Sequence, residues 1–304
     1  MNYYLYVLLF FLSLSFGTTA QEDQLRFKHL STDDGILTMD ISTIFKGKNG
    51  LVYICSSKGI NIFDGYQVKS ILIKNDKSGI FGTILTQIVE DDEENIWMTT
   101  DSCLTKYDIK QNKFSYFLVG MTSIIKEIKS LKYYNGNIWL GGYYGLTRFN
   151  TKTNEITQFK HIENDSNSIT PNGIMDMEFD QKGILWFTTW NYGISSYDTH
   201  KNKFKNYKHD PSDPKSIFNS VVFSLCPDNN GGVWACSYHS DTISRLDIKS
   251  GKFTHYKIPI GDIRILPGLT VFDVLTDKDG DVWMGSMHHG LMKFNPKTRT
   301  ISKY

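Results

Sequence analysis

One short pattern returns six times along this chain, and that return limits the possible folds more than any other feature. It begins with a small apolar residue and an aromatic, and ends on an aromatic followed by Asp or Asn. The copies are "VYICSSKGINIFD" from Val52, "IWMTTDSCLTKYD" from Ile96, "IWLGGYYGLTRFN" from Ile138, "LWFTTWNYGISSYD" from Leu185, "VWACSYHSDTISRLD" from Val233 and "VWMGSMHHGLMKFN" from Val282. The anchor aromatics are Tyr53, Trp97, Trp139, Trp186, Trp234 and Trp283, at spacings of 44, 42, 47, 48 and 49 residues. Five of the six tryptophans are anchors, and Trp190 follows one of them.

Each copy sits inside a longer unit of four short β segments. In the sixth, "VFDVLTD" is rich in apolar and β-branched residues, "DKDGD" is turn chemistry, and "DVWMGS", "LMKFN" and "TISKY" are three more strands. The four are labelled a, b, c and d. The last recurs as "KFSYF", "EITQF", "KFKNY" and "KFTHY". No stretch between the copies has helical periodicity long enough for a crossover, so the units read as antiparallel meanders. A lone four-stranded sheet leaves both faces uncovered, and radial stacking of such sheets covers them. The fold class is therefore all-β: a β-propeller of four-stranded antiparallel blades. A glycine after the anchor (Gly59, Gly145, Gly193, Gly290) supplies the positive φ of the b–c turn. Cys103 and Thr242 replace it in copies two and five.

The ends of the chain carry two further expectations. Residues 3–16, "YYLYVLLFFLSLSF", are an apolar run followed by small residues, which reads as a signal peptide over residues 1–20 with the propeller over 21–304. No other stretch reaches spanning length, so no membrane span is expected after signal cleavage. "FKHL" at Phe27 matches "FKHI" at Phe159 and "YKHD" at Tyr207, which end strand d of complete blades. Leu25–Leu30 is then an orphan strand d, and the chain reads as six complete blades plus that strand, an incomplete seven-bladed ring. The alternative is direct closure of six blades, with the N-terminal strand added to the edge of blade six.

The residues that bear chemistry are few. The formal net charge is +1, which gives no electrostatic basis for binding nucleic acid. Cys55, Cys103, Cys226 and Cys236 fit no zinc spacing, and read as small core residues. "DKDGD" has the look of a calcium loop but lacks the longer acidic ladder and distal Glu. No nucleophile elbow, zinc-protease motif or phosphate loop occurs, so no catalytic residue, metal or cofactor is assigned and no enzyme activity is expected. The b–c turns share one face of a propeller, and here they carry Tyr143, Tyr144, Trp190, Tyr192, Tyr238, His239, His288 and His289. Such a set can stack on sugars or meet a partner, or each member can simply cap the space between blades. Adjacent histidines rarely point to one spot on a turn, so His288 and His289 are not read as metal ligands.

The pattern Gly-x-hydrophobic-Trp, a small pair, then Gly-Leu-x-[Arg/Lys]-[Phe/Tyr]-[Asp/Asn] resembles the two-component regulator propeller repeat. "LRFKHLSTDDGI" is similar to the opening of the periplasmic sensor region of hybrid two-component histidine kinases. The resemblance covers essentially all of residues 21–304, as the N-terminal propeller only. It implies a periplasmic sensing module with glycan fragments as input, bound near the interface of two propellers. It also implies an oligosaccharide ligand, and a second propeller or a homodimer partner. Family members continue into a second propeller, an immunoglobulin-like domain, a membrane helix and a kinase. None of these occurs in the 304 residues, so the expectation is a truncated sensor. The competing expectation is a secreted propeller enzyme such as a lyase.

Overall fold

The structure, a computed structural model, describes residues 27–304 apart from 75, 172, 239, 259–270 and 288. The signal sequence and the first two residues of the orphan strand lie outside the described residues. Six sheets follow one another in chain order. Blade one is β1 (Ile41–Lys46), β2 (Val52–Ser56), β3 (Gly59–Phe63) and β4 (Val68–Lys74), with a short β5 (Ile80–Phe81) parallel to β4. Blade two is β6 (Leu85–Glu90), β7 (Ile96–Thr100), β8 (Leu104–Asp108) and β9 (Lys113–Phe117). A one-turn helix, Thr122–Ile125, leads into blade three: β10 (Ile128–Tyr134), β11 (Asn137–Gly142), β12 (Gly145–Asn150) and β13 (Ile156–Phe159). Blade four is β14 (Ile174–Phe179), β15 (Ile184–Thr189), β16 (Gly193–Asp198) and β17 (Lys203–Tyr207). Blade five is β18 (Val222–Pro227), β19 (Gly232–Ser237), β20 (Thr242–Asp247) and β21 (Lys252–Lys257). Blade six is β22 (Val271–Thr276), β23 (Val282–Ser286), β24 (Gly290–Asn295) and β25 (Thr300–Lys303). The a–b–c–d meander and the β-propeller read from the repeat are both present.

Each anchor aromatic faces the next blade. Trp97 packs with Leu131, Leu140 and Phe149 of blade three, and Trp139 with Met177, Leu185 and Phe187 of blade four. Trp186 meets Leu225 and Val233, Trp234 meets Val274 and Met284, and Tyr53 meets Ile88 and Met98. These five anchors are 1–2% exposed. In three blades the a–b turn fixes the indole as well. Trp97, Trp186 and Trp283 donate Nε1–H to Asp91, Asp180 and Asp277 at 2.8, 3.1 and 2.9 Å. The same aspartates accept backbone N–H groups of their own turns. "DKDGD" is thus a hairpin turn whose first carboxylate is committed to backbone and indole. In blade five Asp228 pairs with Arg245 instead, at 2.7 Å. In blade three the a–b turn, "YYNGN", has no aspartate, and the Trp139 indole N–H is buried without a partner.

The inner strands are stitched across blades by side chains at their third position. The Met177 N–H donates to Ser130 Oγ at 3.2 Å, that of Leu225 to Asp176 at 3.1 Å, and that of Val274 to Ser224 Oγ at 3.3 Å. This belt ends at Asp273, which is exposed. Among the described residues, five inter-blade cores join six blades, and none joins blade six to blade one. The faces on either side of that gap are open. Ile44 of β1 is exposed, as is Leu275 of β22, and Trp283 is the one anchor that is not buried. These uncovered side chains mark the interface at which the described residues form no inter-blade core.

The orphan strand needs correction. Phe27–Leu30 is not a strand. A strand d forms only on a strand c of its own blade, and the described residues supply none for it, so the ladder has no partner. Its placement nevertheless fits the sequence reading. The Phe27 ring lies 6.2 Å from that of Tyr304 beyond β25, and Lys28 Nζ lies 5.3 Å above the Phe63 ring of β3. The segment thus touches both blades that flank the gap.

The four cysteines carry free thiols, and Cys226 pairs with Trp234 while Ser224 pairs with Cys236, so the two cysteines are out of register as expected. Burial pushes the Cys55 thiol up to about 12, and that of Cys236 further.

Two outcomes follow from the open interface. Trp186→Ala should cost about 3–5 kcal/mol in chemical denaturation, as for other buried large-to-Ala changes, and Trp283→Ala less than half of that. Appending a second copy of residues 271–295 to the C-terminus should raise the melting temperature and lower binding of a hydrophobic dye. An unchanged melting temperature would mean that the gap does not accept a further blade.

Candidate functional site at the b–c turn face

Two sets of backbone positions build the face around the b–c turns. The first is the opening residue of each turn. In four blades it is held by the same bond to the residue just before strand a. The N–H groups of Asp101, Tyr143, Trp190 and Tyr238 donate to the carbonyls of Ile84, Glu127, Gly173 and Val221 at 3.2, 3.4, 3.1 and 3.0 Å. The backbone is thus constant while the side chain changes from carboxylate to phenol to indole. Gly173 is required where it passes the turn of blade three, since a Cβ there would stand 2.8 Å from Tyr143 Cα.

The second set comes from a feature that recurs in every blade. The a–b pairing slips by one residue after its first pair, at Ile41/Thr43, Leu85/Gln87, Ile128/Ser130, Ile174/Asp176, Val222/Ser224 and Val271/Asp273. The extra residues are Ser42, Thr86, Lys129, Met175, Phe223 and Phe272. A bulge leaves its extra residue outside the ladder and re-aims its side chain. The bulges therefore add six side chains to the inner rim of the b–c turn face.

Together the two sets form an aromatic arc over blades three to six. Trp190 packs at a tilt against Phe223 with ring centroids 6.0 Å apart, and Phe223 meets Tyr238 at 5.1 Å and Phe272 at 5.6 Å. Tyr143, Tyr238, Trp190 and Phe272 are all exposed, Trp190 at 40% against the 1–2% of the buried anchors. Between Tyr143 and Trp190 lies a cavity of about 460 Å³, lined by Lys129, Tyr143, Gly173, Ile174, Met175 and Trp190. The same positions of blades one and two carry Ser42, Thr86 and Asp101, so the aromatics are not a demand of the fold.

The eight residues expected at the site separate. Tyr143, Trp190 and Tyr238 lie on the arc. Tyr144 meets Tyr143 edge-on at 5.5 Å and, with His161 and Pro171, lines a neighbouring cavity of about 330 Å³ that Tyr143 also borders. The Tyr192 ring lies under the Lys208 ammonium at 5.5 Å, toward the outer strand of its own blade. His289 is half-buried, and its N–H donates to Ser286 Oγ at 3.0 Å. His239 and His288 lie outside the described residues. Phe223, Phe272, Lys129 and Met175 escape the sequence reading because they belong to strand a. The only signal for two of them is a pair of adjacent large apolar residues, "VVF" and "TVF", that breaks strand alternation.

The remaining polar groups line the inner wall. Ser224 Oγ lies between Asp176 and Asp273, 2.9 and 3.1 Å away, and Lys132 pairs with Glu178. Burial raises the Asp176 carboxyl, against the pull of Lys132 and the Leu225 N–H. Burial works to lower the Lys132 ammonium, but the charges of Glu178 and Asp176 outweigh it and hold it above its ordinary value. His161 and His209 hold the carbonyls of Ile169 and Ile217 through Nδ1 at 2.8 and 2.7 Å, as clamps on the d–a connections. Among the described residues, no group of three or more His, Cys, Asp or Glu side chains is placed to hold a metal ion.

No family model matches the chain, and no curated protein matches it. Solved structures do. The extracellular domain of a putative one-component system from B. thetaiotaomicron superposes with a TM-score of 0.67 at 18% identity, over 86% of this chain. The chain spans about a third of that domain, 33% of its length. A streptogramin B lyase superposes with a TM-score of 0.64 at 16% identity, over 87% of this chain and 82% of the lyase. A catalytically inactive virginiamycin B lyase from Staphylococcus aureus, with quinupristin, gives 0.66 at 16% identity, over 88% and 86%. At these identities the likeness establishes the β-propeller and nothing finer.

Because the arc lies outside the inter-blade cores, Trp190→Ala should change stability by no more than about 1 kcal/mol, in the range of surface substitutions. A loss of several kcal/mol in chemical denaturation would move Trp190 into the core.

Proposed function

We propose that this chain is a non-catalytic, exported ligand-binding propeller, the input module of a periplasmic sensor, and that it binds an oligosaccharide on the aromatic arc. One observation carries the reading: aromatic side chains gather at positions whose backbone the repeat holds constant and whose side chain it leaves free. Residues kept for folding recur in every blade, as the anchors do. Tyr143, Trp190, Phe223, Tyr238 and Phe272 occupy only blades three to six, and their exposed faces suit the flat apolar face of a pyranose. The resemblance of the repeat to two-component regulator propellers supports the sensing role. The superposition on the extracellular domain of a putative one-component system of B. thetaiotaomicron agrees with it. No described helix is long and apolar enough to cross a membrane.

The test is a titration of the whole chain with a panel of oligosaccharides, followed by calorimetry and intrinsic fluorescence. Four anchor tryptophans are buried, which leaves Trp190 and the half-buried Trp283 to respond, and a change in emission that comes from the arc belongs to Trp190. Trp190→Ala should abolish that change and weaken binding about five- to tenfold, the equivalent of about 1 kcal/mol for one stacked ring by analogy with aromatic pairs. Binding that survives Trp190→Ala unaltered would place the ligand elsewhere.

A lyase is the second reading, favoured by the match over most of the length of two streptogramin-type lyases. Incubation with polysaccharides and cyclic lactones should yield no new reducing ends and no opened rings. Turnover that disappears in His289→Ala would replace the sensor reading with the enzymatic one.

A further inference from the structure

We infer that the ligand of the arc carries an anionic group, and that Lys129 reads it. The inference rests on the arc being a saccharide site, and it names the class of saccharide. Lys129 is the bulge residue of blade three. It is the single charged side chain in the lining of the cavity between Tyr143 and Trp190. The bulge does not ask for a lysine, since the equivalent positions hold Ser42, Thr86, Met175, Phe223 and Phe272.

Neither does the fold use its charge. Lys132, three residues further along the same strand, is paired with Glu178, and Lys293 holds Asp281 at 2.8 Å. Lys129 makes no hydrogen bond or ion pair with any described residue, and Glu127, two residues before it, is not within ion-pair distance. An ammonium with no partner among the described residues therefore stands at the edge of a concave apolar surface made by Ile174, Met175 and Trp190. Low-dielectric walls strengthen its field in the cavity and concentrate anions there. A ring stacked on Trp190 or Tyr143 would present its substituents to the rim where Lys129 stands. The chemistry that completes this arrangement is a pyranose bearing a carboxylate or a sulfate.

Matched pairs of ligands separate the charge from the ring. Oligogalacturonate and its methyl ester differ in charge and little in shape, and a sulfated oligosaccharide with its desulfated counterpart makes a second pair. In calorimetric titrations of the full chain, one anionic member should bind about tenfold more tightly than its neutral partner, the order expected of one charge-assisted contact. Which pair shows the preference tells carboxylate from sulfate. Lys129→Met should erase the preference, Lys129→Arg should keep it, and added salt should shrink it. Neutral sugars that bind at Trp190 with no anionic preference, or a preference that survives Lys129→Met, would overturn this inference and leave the saccharide site standing. Failure of every oligosaccharide to bind would overturn both.

Discussion

The structure depends on one contact repeated with direction: the strand-b aromatic of each blade enters the apolar face of the next. Because the contact points forward along the chain, every blade needs a successor to cover its anchor. Five anchors have one, and Trp283 does not. The a–b turn aspartates belong to the same device. One carboxylate closes the hairpin and accepts the indole N–H, so that turn and anchor are positioned together. Blade three shows what happens without it, for its shortened turn leaves the Trp139 indole N–H buried and unpartnered.

A second layer of order runs around the inner wall. Ser130, Asp176 and Ser224 each take a backbone N–H from the next inner strand, which fixes the rise from blade to blade. The bulge one residue earlier in each strand a makes this geometry possible, by turning the third residue toward the neighbouring blade. The same bulge frees the residue beside it. Fold and site are thus coupled at adjacent positions, one spent on stitching blades and the other open to function.

That coupling explains the unevenness of the b–c turn face. The strand-a bulge recurs in all six blades, yet its side chains run from Ser42 and Thr86 to Phe223 and Phe272. Rings gather on blades three to six, and a lone ammonium stands at the cavity between the first two of them. Repetition gives such a protein a built-in comparison, since what recurs belongs to the fold and what varies at a fixed backbone site is available for a ligand. By that measure the His161 and His209 clamps are structural, because the pair performs the same task in two blades.

The sequence by itself determined the number of complete blades, the a–b–c–d order and the anchors. All of these follow from periodic patterns and turn chemistry that act locally. It also placed Tyr143, Trp190 and Tyr238 on one face, because turns of a repeat must fall together. Only the tertiary structure decided the rest. Tyr144 and Tyr192 share the turns but point away, because successive residues of a turn diverge by large angles and spacing alone does not say which way. Phe223, Phe272, Met175 and Lys129 reach the site through a register slip that leaves almost no mark in sequence, since a bulge is defined by its pairing with another strand. The orphan segment at Phe27 kept its place between blades six and one but not its strand conformation. A strand is a property of two chains paired, and one sequence segment specifies only half of it.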